Sequence, residues 1–301
     1  MAKNTKEDFL YINTFTGIRG TSGAWYQIIK FLGKGGNGIS YLVLCTEGQY
    51  QGCVFTLKIL YKISKPERVE KFIREIAFLK ECSYPTILKQ YDDGTWNEHP
   101  FVVMDYMSLT LESEMQKGGL SIGDKMLYAL QLLSAIKYLQ TKNVVHRDIN
   151  PSNIFVKDNT AILGDFGLIK DLSDTSTDDS NDFKGYFAMP RAYRTPELVS
   201  YAKSEGPISK ETDVFQLGLV LCELFTGNNP LKQTEDSLSD VKLYPIPLSN
   251  NLHKNRVIRI IWGMLRIDNA KRFTIDYAMN KFSMAFEEYA KAKELLEGTA
   301  M

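Results

Sequence analysis

Two polar strings, twelve residues apart, stand out in this chain of 301 residues: His146-Arg147-Asp148-Ile149-Asn150-Pro151-Ser152-Asn153 and Asp165-Phe166-Gly167. Between them run Ile154-Phe155-Val156 and Ala161-Ile162-Leu163, separated by Lys157-Asp158-Asn159-Thr160, which is the pattern of a hairpin with a polar turn. Antiparallel pairing sets Ile154 opposite Leu163 or its neighbour, so Asn153 and Asp165 emerge side by side at the open end. One amide oxygen and one carboxylate make a sparse site of hard oxygen donors. A magnesium ion takes such a site when the phosphates of a nucleotide complete its coordination shell. Asp148, just upstream, adds a second carboxylate.

A second group of residues lies nearer the N-terminus. Gly33-Lys34-Gly35-Gly36-Asn37-Gly38 satisfies G-x-G-x-x-G. A dinucleotide fold or a Walker A loop needs a helix directly after these glycines, whereas Ile39-Ser40-Tyr41-Leu42-Val43-Leu44 reads as a strand. The glycines therefore form a hairpin loop whose bare backbone can approach phosphate oxygens closely. The stretches Trp25–Leu32, Ile39–Cys45 and Cys53–Leu60 read as strands. Ser64-Lys65-Pro66-Glu67 then has the form of a capping box, and Val69, Phe72, Ile73, Ile76 and Leu79 follow at helical spacing. Glu75 shares a face with Phe72 and Leu79, so it leans toward the core. A buried carboxylate there needs a cation.

Strand character returns over Tyr91–Met107. The chain is mainly helical after that, with Ser121-Ile122-Gly123-Asp124 opening a helix. The run from Asp213 to Phe225 is apolar on nearly every face, which predicts a buried helix ended by Gly227. Phe282, Phe286, Tyr289 and Leu296 mark the packing face of a last helix. Residues 1–23 fit a tail better than an added strand or a docking segment. Lys plus Arg equals Asp plus Glu at 36 each, which argues against a general attraction to nucleic acid or to an anionic membrane. No apolar run approaches the roughly 20 residues a membrane span needs. Cys45, Cys53, Cys82 and Cys222 lack metal-ligand spacing, so reduced thiols and a cytoplasmic protein are expected.

His-Arg-Asp with Asn five residues after the Asp, followed by Asp-Phe-Gly, resembles the catalytic loop and metal-binding motif of eukaryotic-type protein kinases of the Ser/Thr kind. The resemblance runs from about Trp25 to about Met279. It implies an α+β, bilobal fold, with a small antiparallel β-sheet lobe bearing one helix and a larger, mainly helical lobe. The expected parts are an N-terminal extension at 1–23, a first lobe at 24–107, a helical lobe at 108–281 and a C-terminal amphipathic helix at 282–301.

By the same resemblance, Asp148 orients the acceptor hydroxyl and takes its proton, Asn153 and Asp165 hold Mg2+, and Lys58, paired with Glu75, steadies ATP. Gly33, Gly35 and Gly38 cover the phosphates. Ser40, Thr56, Phe155 and the hinge residues Met104, Asp105 and Met107 surround the base. Ser40 and Thr56 depart from the family, which has Val and Ala there, and each adds a hydroxyl beside an apolar ring. Asn150 stands where Ser/Thr kinases carry Lys, and Pro190 where they carry Thr. Glu197 of Thr195-Pro196-Glu197 is expected to pair with Arg272. Arg147 and Lys170 match the cations that bind an activation-loop phosphate, for which Ser173, Thr175, Ser176, Thr177 and Ser180 are acceptors. The alternative is that one of Asp174, Asp178, Asp179 and Asp182 fills that pocket unmodified. The expected activity is phosphoryl transfer from ATP to Ser/Thr hydroxyls of a protein substrate. The competing readings are a nucleotide-binding pseudokinase or scaffold and a small-molecule kinase; Arg147, the Phe-Gly after Asp165 and Thr195-Pro196-Glu197 argue against the latter.

Overall fold

The structure is a computed structural model that describes residues 11–35, 38–173, 191–236 and 238–298, the side chains of 296–298 apart. The chain divides into two compact units, one ending at Met107 and one beginning at Ser108.

The first unit is a six-stranded antiparallel sheet with one helix. Its strands are β1 (Gly17–Arg19), β2 (Trp25–Lys34), β3 (Ile39–Glu47), β4 (Val54–Ile59), β5 (Gln90–Trp96) and β6 (His99–Asp105), in the order β1-β2-β3-β4-β6-β5. Strand alternation divides its labour between two faces. Tyr41, Val43, Phe55, Leu57, Ile59, Phe101 and Val103 point into the core, where they meet Tyr26, Ile28 and Ile39. The cross-strand pairs Ser40↔Lys58, Leu42↔Thr56, Thr56↔Met104 and Lys58↔Val102 place Ser40, Thr56, Lys58 and Met104 together on the opposite face. Asn97 and Glu98, at φ 47° and 67°, close the β5–β6 hairpin in the left-handed region that such turns require.

Helix α1 (Pro66–Glu81) buries Phe72, Glu75, Ile76 and Leu79. The expected capping box does not form. Pro66 takes the first helical position, so the cap is Lys65, without a side-chain hydrogen bond, and Ser64 lies one residue too early. The tail reading of the N-terminus also gives way over the described residues. β1 pairs with β2, and Ile12 and Ile18 are buried in the core. At the far end of the strand order, Thr21 N donates to Asp93 O of β5 at 2.7 Å, so the two end strands meet.

The second unit holds α2 (Leu111–Lys117), α3 (Ile122–Thr141), α4 (Pro196–Ala202), α5 (Glu211–Thr226), α6 (Leu252–Met264) and α7 (Ile275–Gly298). It also contains the short strands β7 (Val144–Val145), β8 (Ile154–Lys157), β9 (Thr160–Leu163) and β10 (Lys170–Asp171), paired β7 with β10 and β8 with β9. Ser121 opens α3 as expected, through a capping box: Ser121 Oγ accepts from Asp124 N at 3.1 Å and Asp124 Oδ2 from Ser121 N at 3.1 Å. Helix α5 is buried along nearly its whole length and ends on Gly227 at φ 79°. Helix α7 begins before the expected boundary at residue 282. It packs on α3 and α6, with Phe282 fully buried and Tyr289 edge-on to His253 at 5.4 Å.

Candidate active site

The β8–β9 hairpin forms in the register read from the sequence, with Ile154 opposite Leu163 and the turn residues Asp158 and Asn159 at φ 47° and 57°. Gly164 N donates to Asn153 O at 2.9 Å, which ties the two ends of the hairpin together and sets Asp165 one residue beyond. Asn153 Nδ2 donates to Asp148 Oδ2 at 2.8 Å and to the Asp148 carbonyl at 2.9 Å. That leaves Oδ1 as the remaining acceptor of the Asn153 amide. Asp165 lies close enough to Asp148 for its charge to act there. Burial, and then Asp165, push the Asp148 carboxyl up to about 7, against the hydrogen bonds from Asn153 and Asn150.

Asn150 has a role that its reading as a missing lysine did not contain. It is buried, and its Nδ2 donates to Asp148 Oδ1 at 3.0 Å, so each carboxylate oxygen of Asp148 is held by an amide from a different asparagine. Asn150 Oδ1 in turn accepts from Ser152 N at 3.1 Å and Ser152 Oγ at 2.6 Å, capping the short turn Pro151–Asn153.

Two buried residues that the sequence reading left unassigned hold this loop from behind. Asp213 accepts from His146 N at 2.8 Å and from Arg147 N at 3.0 Å. Gln216 accepts from Ile149 N at 3.0 Å and donates to Arg147 O at 3.0 Å and Tyr193 O at 2.9 Å. With those bonds in place, Arg147 is held in the left-handed region at φ 68°; Asp165 also lies there, at φ 55°. Their signal in the sequence is the pair of polar residues in an otherwise apolar buried helix, since a buried polar group needs partners. His146, wholly buried, is kept neutral: burial lowers it to about 4. Its Nδ1 accepts from Asp148 N at 3.3 Å, which leaves Nε2 to donate to Gly164 O at 3.1 Å. The imidazole thus joins the Asp148 loop to the end of the hairpin.

In the first unit, Lys58 Nζ meets Glu75 Oε1 at 2.7 Å, with Glu75 almost wholly buried. Gly33 stands opposite Ser40 in the β2–β3 ladder, and Gly35 N donates to Gly38 O at 2.8 Å, so the glycines do form a hairpin loop. Gly38 must be glycine for want of room: a Cβ there would lie 2.9 Å from the Ile59 carbonyl oxygen. Gly36 and Asn37 lie outside the described residues. Asp105 N donates to Lys89 O at 3.1 Å, and its carboxylate accepts from Tyr91 Oη at 3.0 Å. Met107 is half-buried. In the second unit Phe155, also half-buried, bridges to Thr110, the N-cap of α2.

Glu197 and Arg272 make the expected ion pair, Oε1 to Nη2 at 2.7 Å, both buried, and the guanidinium also donates to the Glu211 carbonyl at 2.7 Å. Arg147 donates from Nε to Leu168 O and from Nη2 to Ile169 O. Lys170 donates to Tyr201 Oη at 3.1 Å and lies over that ring. Ser173 is exposed and bonded to Asp171. Thr175, Ser176, Thr177, Ser180 and Pro190, with the competing aspartates, lie outside the described residues. Among the described residues no helix is long and apolar enough to cross a membrane, and no three His, Cys, Asp or Glu gather as a metal site.

The sequence matches the family model of the protein kinase domain over residues 26–283. It is 27% identical over 256 residues to a probable serine/threonine-protein kinase of Dictyostelium discoideum, covering 80% of this chain and 29% of that protein. It is 30% identical over 228 residues to mitogen-activated protein kinase 15 of Xenopus laevis, covering 72% of this chain and 38% of that protein. The matched region is thus roughly a third of the length of these relatives. With the family model spanning most of the chain and the catalytic-loop and Asp-Phe-Gly residues assembled as described, the chain belongs to the protein kinase family.

Proposed function

We propose that the protein transfers the γ-phosphoryl group of ATP to Ser or Thr hydroxyls of a protein substrate. The observation that carries this reading is the double amide grip on Asp148, which fixes both carboxylate oxygens while burial keeps the group a competent proton acceptor near neutral pH. Such a residue orients an acceptor hydroxyl and receives its proton. The donor chemistry suits Mg2+: Asn153 Oδ1 and the Asp165 carboxylate are hard oxygens, too few for an all-protein cage and sufficient beside phosphates. When bound, the ion would neutralise charge on the phosphate oxygens. Lys58, held by Glu75, would place its ammonium on the nucleotide phosphates, and the open hairpin of Gly33, Gly35 and Gly38 would cover them. In the first unit, Ser40, Thr56, Met104, Asp105 and Met107 would receive the base.

A phosphate on Ser173, Thr175, Ser176, Thr177 or Ser180 would recruit Arg147 and Lys170 as its counter-ions. Mass spectrometry after incubation with ATP and magnesium, with Asp148→Asn as control, tests this; absence of any loop phosphate discards it.

A nucleotide-binding pseudokinase is the second reading, favoured by the neutral Asn150 where a cation would stand beside the transferred group. Calorimetric binding of ATP with and without magnesium, run beside transfer of radiolabel to Ser/Thr and Tyr peptide pools, separates the two. The kinase reading expects magnesium-dependent binding, lost in Asp165→Ala, together with label on Ser/Thr peptides. Binding without transfer to any acceptor supports the pseudokinase.

A further inference from the structure

Helices α2, α3, α5 and α6 line a half-open pocket of about 290 Å³ that lies wholly within the second unit and has no part in the chemistry above. Two lysines line it, Lys125 from the first turn of α3 and Lys254 from the first turn of α6. Both are half-buried, and neither ammonium makes an ion pair or hydrogen bond with a described residue. Two acids share the lining, and one of them is neutralised by a lysine outside it. Glu114 is paired with Lys117 at 2.7 Å, and Glu223 accepts from Tyr193 Oη. The two lysines thus outnumber Glu223, the one carboxylate of the lining not ion-paired with a lysine, so the space is net positive and favours an anion. Consistent with this, burial and then the charge of Lys254 hold Lys125 below the usual lysine range.

The remaining wall narrows the class of ligand. Leu120 and Phe225 are apolar, so the cavity offers a hydrocarbon surface beside its charged one. Its volume is near the lower end for ligand pockets, which suits a small molecule rather than a peptide. Lysine, a compact and rotatable point charge, is a common phosphate binder.

We propose that this cavity is a binding site for a small phosphomonoester, its dianionic head between Lys125 and Lys254 and its carbon skeleton against Leu120 and Phe225. The site is independent of the kinase chemistry, and its test does not rely on activity.

The test is calorimetric titration of the full chain with glycerol 3-phosphate and with inorganic phosphate at matched ionic strength. The same titrations are repeated on Lys125→Met, Lys254→Met and the charge-conserving Lys125→Arg. The wild type is expected to bind both, the ester more tightly, because only the ester uses the apolar wall. Each Met variant is expected to lose about tenfold or more in affinity, and Lys125→Arg to retain most of it. Thermal unfolding without ligand supplies a second reading. The Met variants, relieved of like-charge repulsion, melt no lower than wild type, which separates lost binding from lost folding. Absence of binding by the wild type, or equal binding by wild type and the Met variants, overturns the proposal.

Discussion

The hairpin that sets Ile154 opposite Leu163 was readable from sequence because a short polar turn joins two apolar strings, and it puts Asn153 and Asp165 at the same open end. Glu75 was readable as a carboxylate on the apolar face of a helix, which demands a cation, and the family resemblance supplied Lys58 as that cation. What escaped was the support. Asp213 and Gln216 bond to backbone groups about 66 to 69 residues away, and no local pattern announces a partner that distant. Asn150 escaped because its residue type was weighed as a lost charge, while its geometry makes it a hydrogen-bond donor to Asp148. His146 carries a prediction of its own. Burial lowers it to about 4 from an ordinary 6.5, so between those values the unfolded chain binds a proton that the folded protein does not. Its contribution to stability therefore rises as pH rises through that window. Asp213, held up at about 6, runs the other way, because the folded protein keeps its proton where the unfolded chain has lost it. In the metal-free protein the His146 ring carbon signal should stay at its neutral position from about pH 8 down to about pH 5.5. A titration centred near the ordinary histidine value would contradict the buried environment assigned to it.

Helices and strands were most legible where capping chemistry and burial pattern agree. Ser121–Asp124 formed its box and α5 its apolar cylinder ended by Gly227. Ser64 failed because Pro66 dictates where α1 starts. Strand β1 was missed because three residues carry too little pattern to declare a strand; its place is set by a tertiary clasp. Asp92 of β5 is buried and accepts from Ser22 N at 3.1 Å, Ser22 Oγ at 2.6 Å and Tyr26 Oη at 3.1 Å, holding the β1–β2 turn against the opposite edge of the sheet. Gly20 follows from the same contact, since a Cβ there would lie 1.9 Å from an Asp92 oxygen. Asp92→Ala leaves these donors unsatisfied and should lower stability by about 2–4 kcal/mol in urea unfolding. A loss below about 0.5 kcal/mol, the range of an ordinary surface change, would show that the clasp is not holding the sheet end.

Taken as one protein, the chain has a β-rich unit and a helical unit, each carrying part of the charged equipment that the proposed phosphoryl transfer would use. The lysine–glutamate pair and the glycine hairpin lie in the first, and Asp148, Asn153 and Asp165 in the second. Fold class followed from the order of strands and helices. What the sequence left open is whether Asn150 can stand in for a cation, because that turns on transition-state charge and not on folding. The rate of radiolabel transfer from ATP with magnesium to a Ser/Thr peptide pool addresses this, measured for wild type, Asp148→Asn and Lys58→Met at matched folded fraction. Wild type should transfer label, and each variant should be slower by about a hundredfold or more. Transfer unchanged in Asp148→Asn, or absent from the wild type while ATP still binds, would contradict the catalytic role given to Asp148.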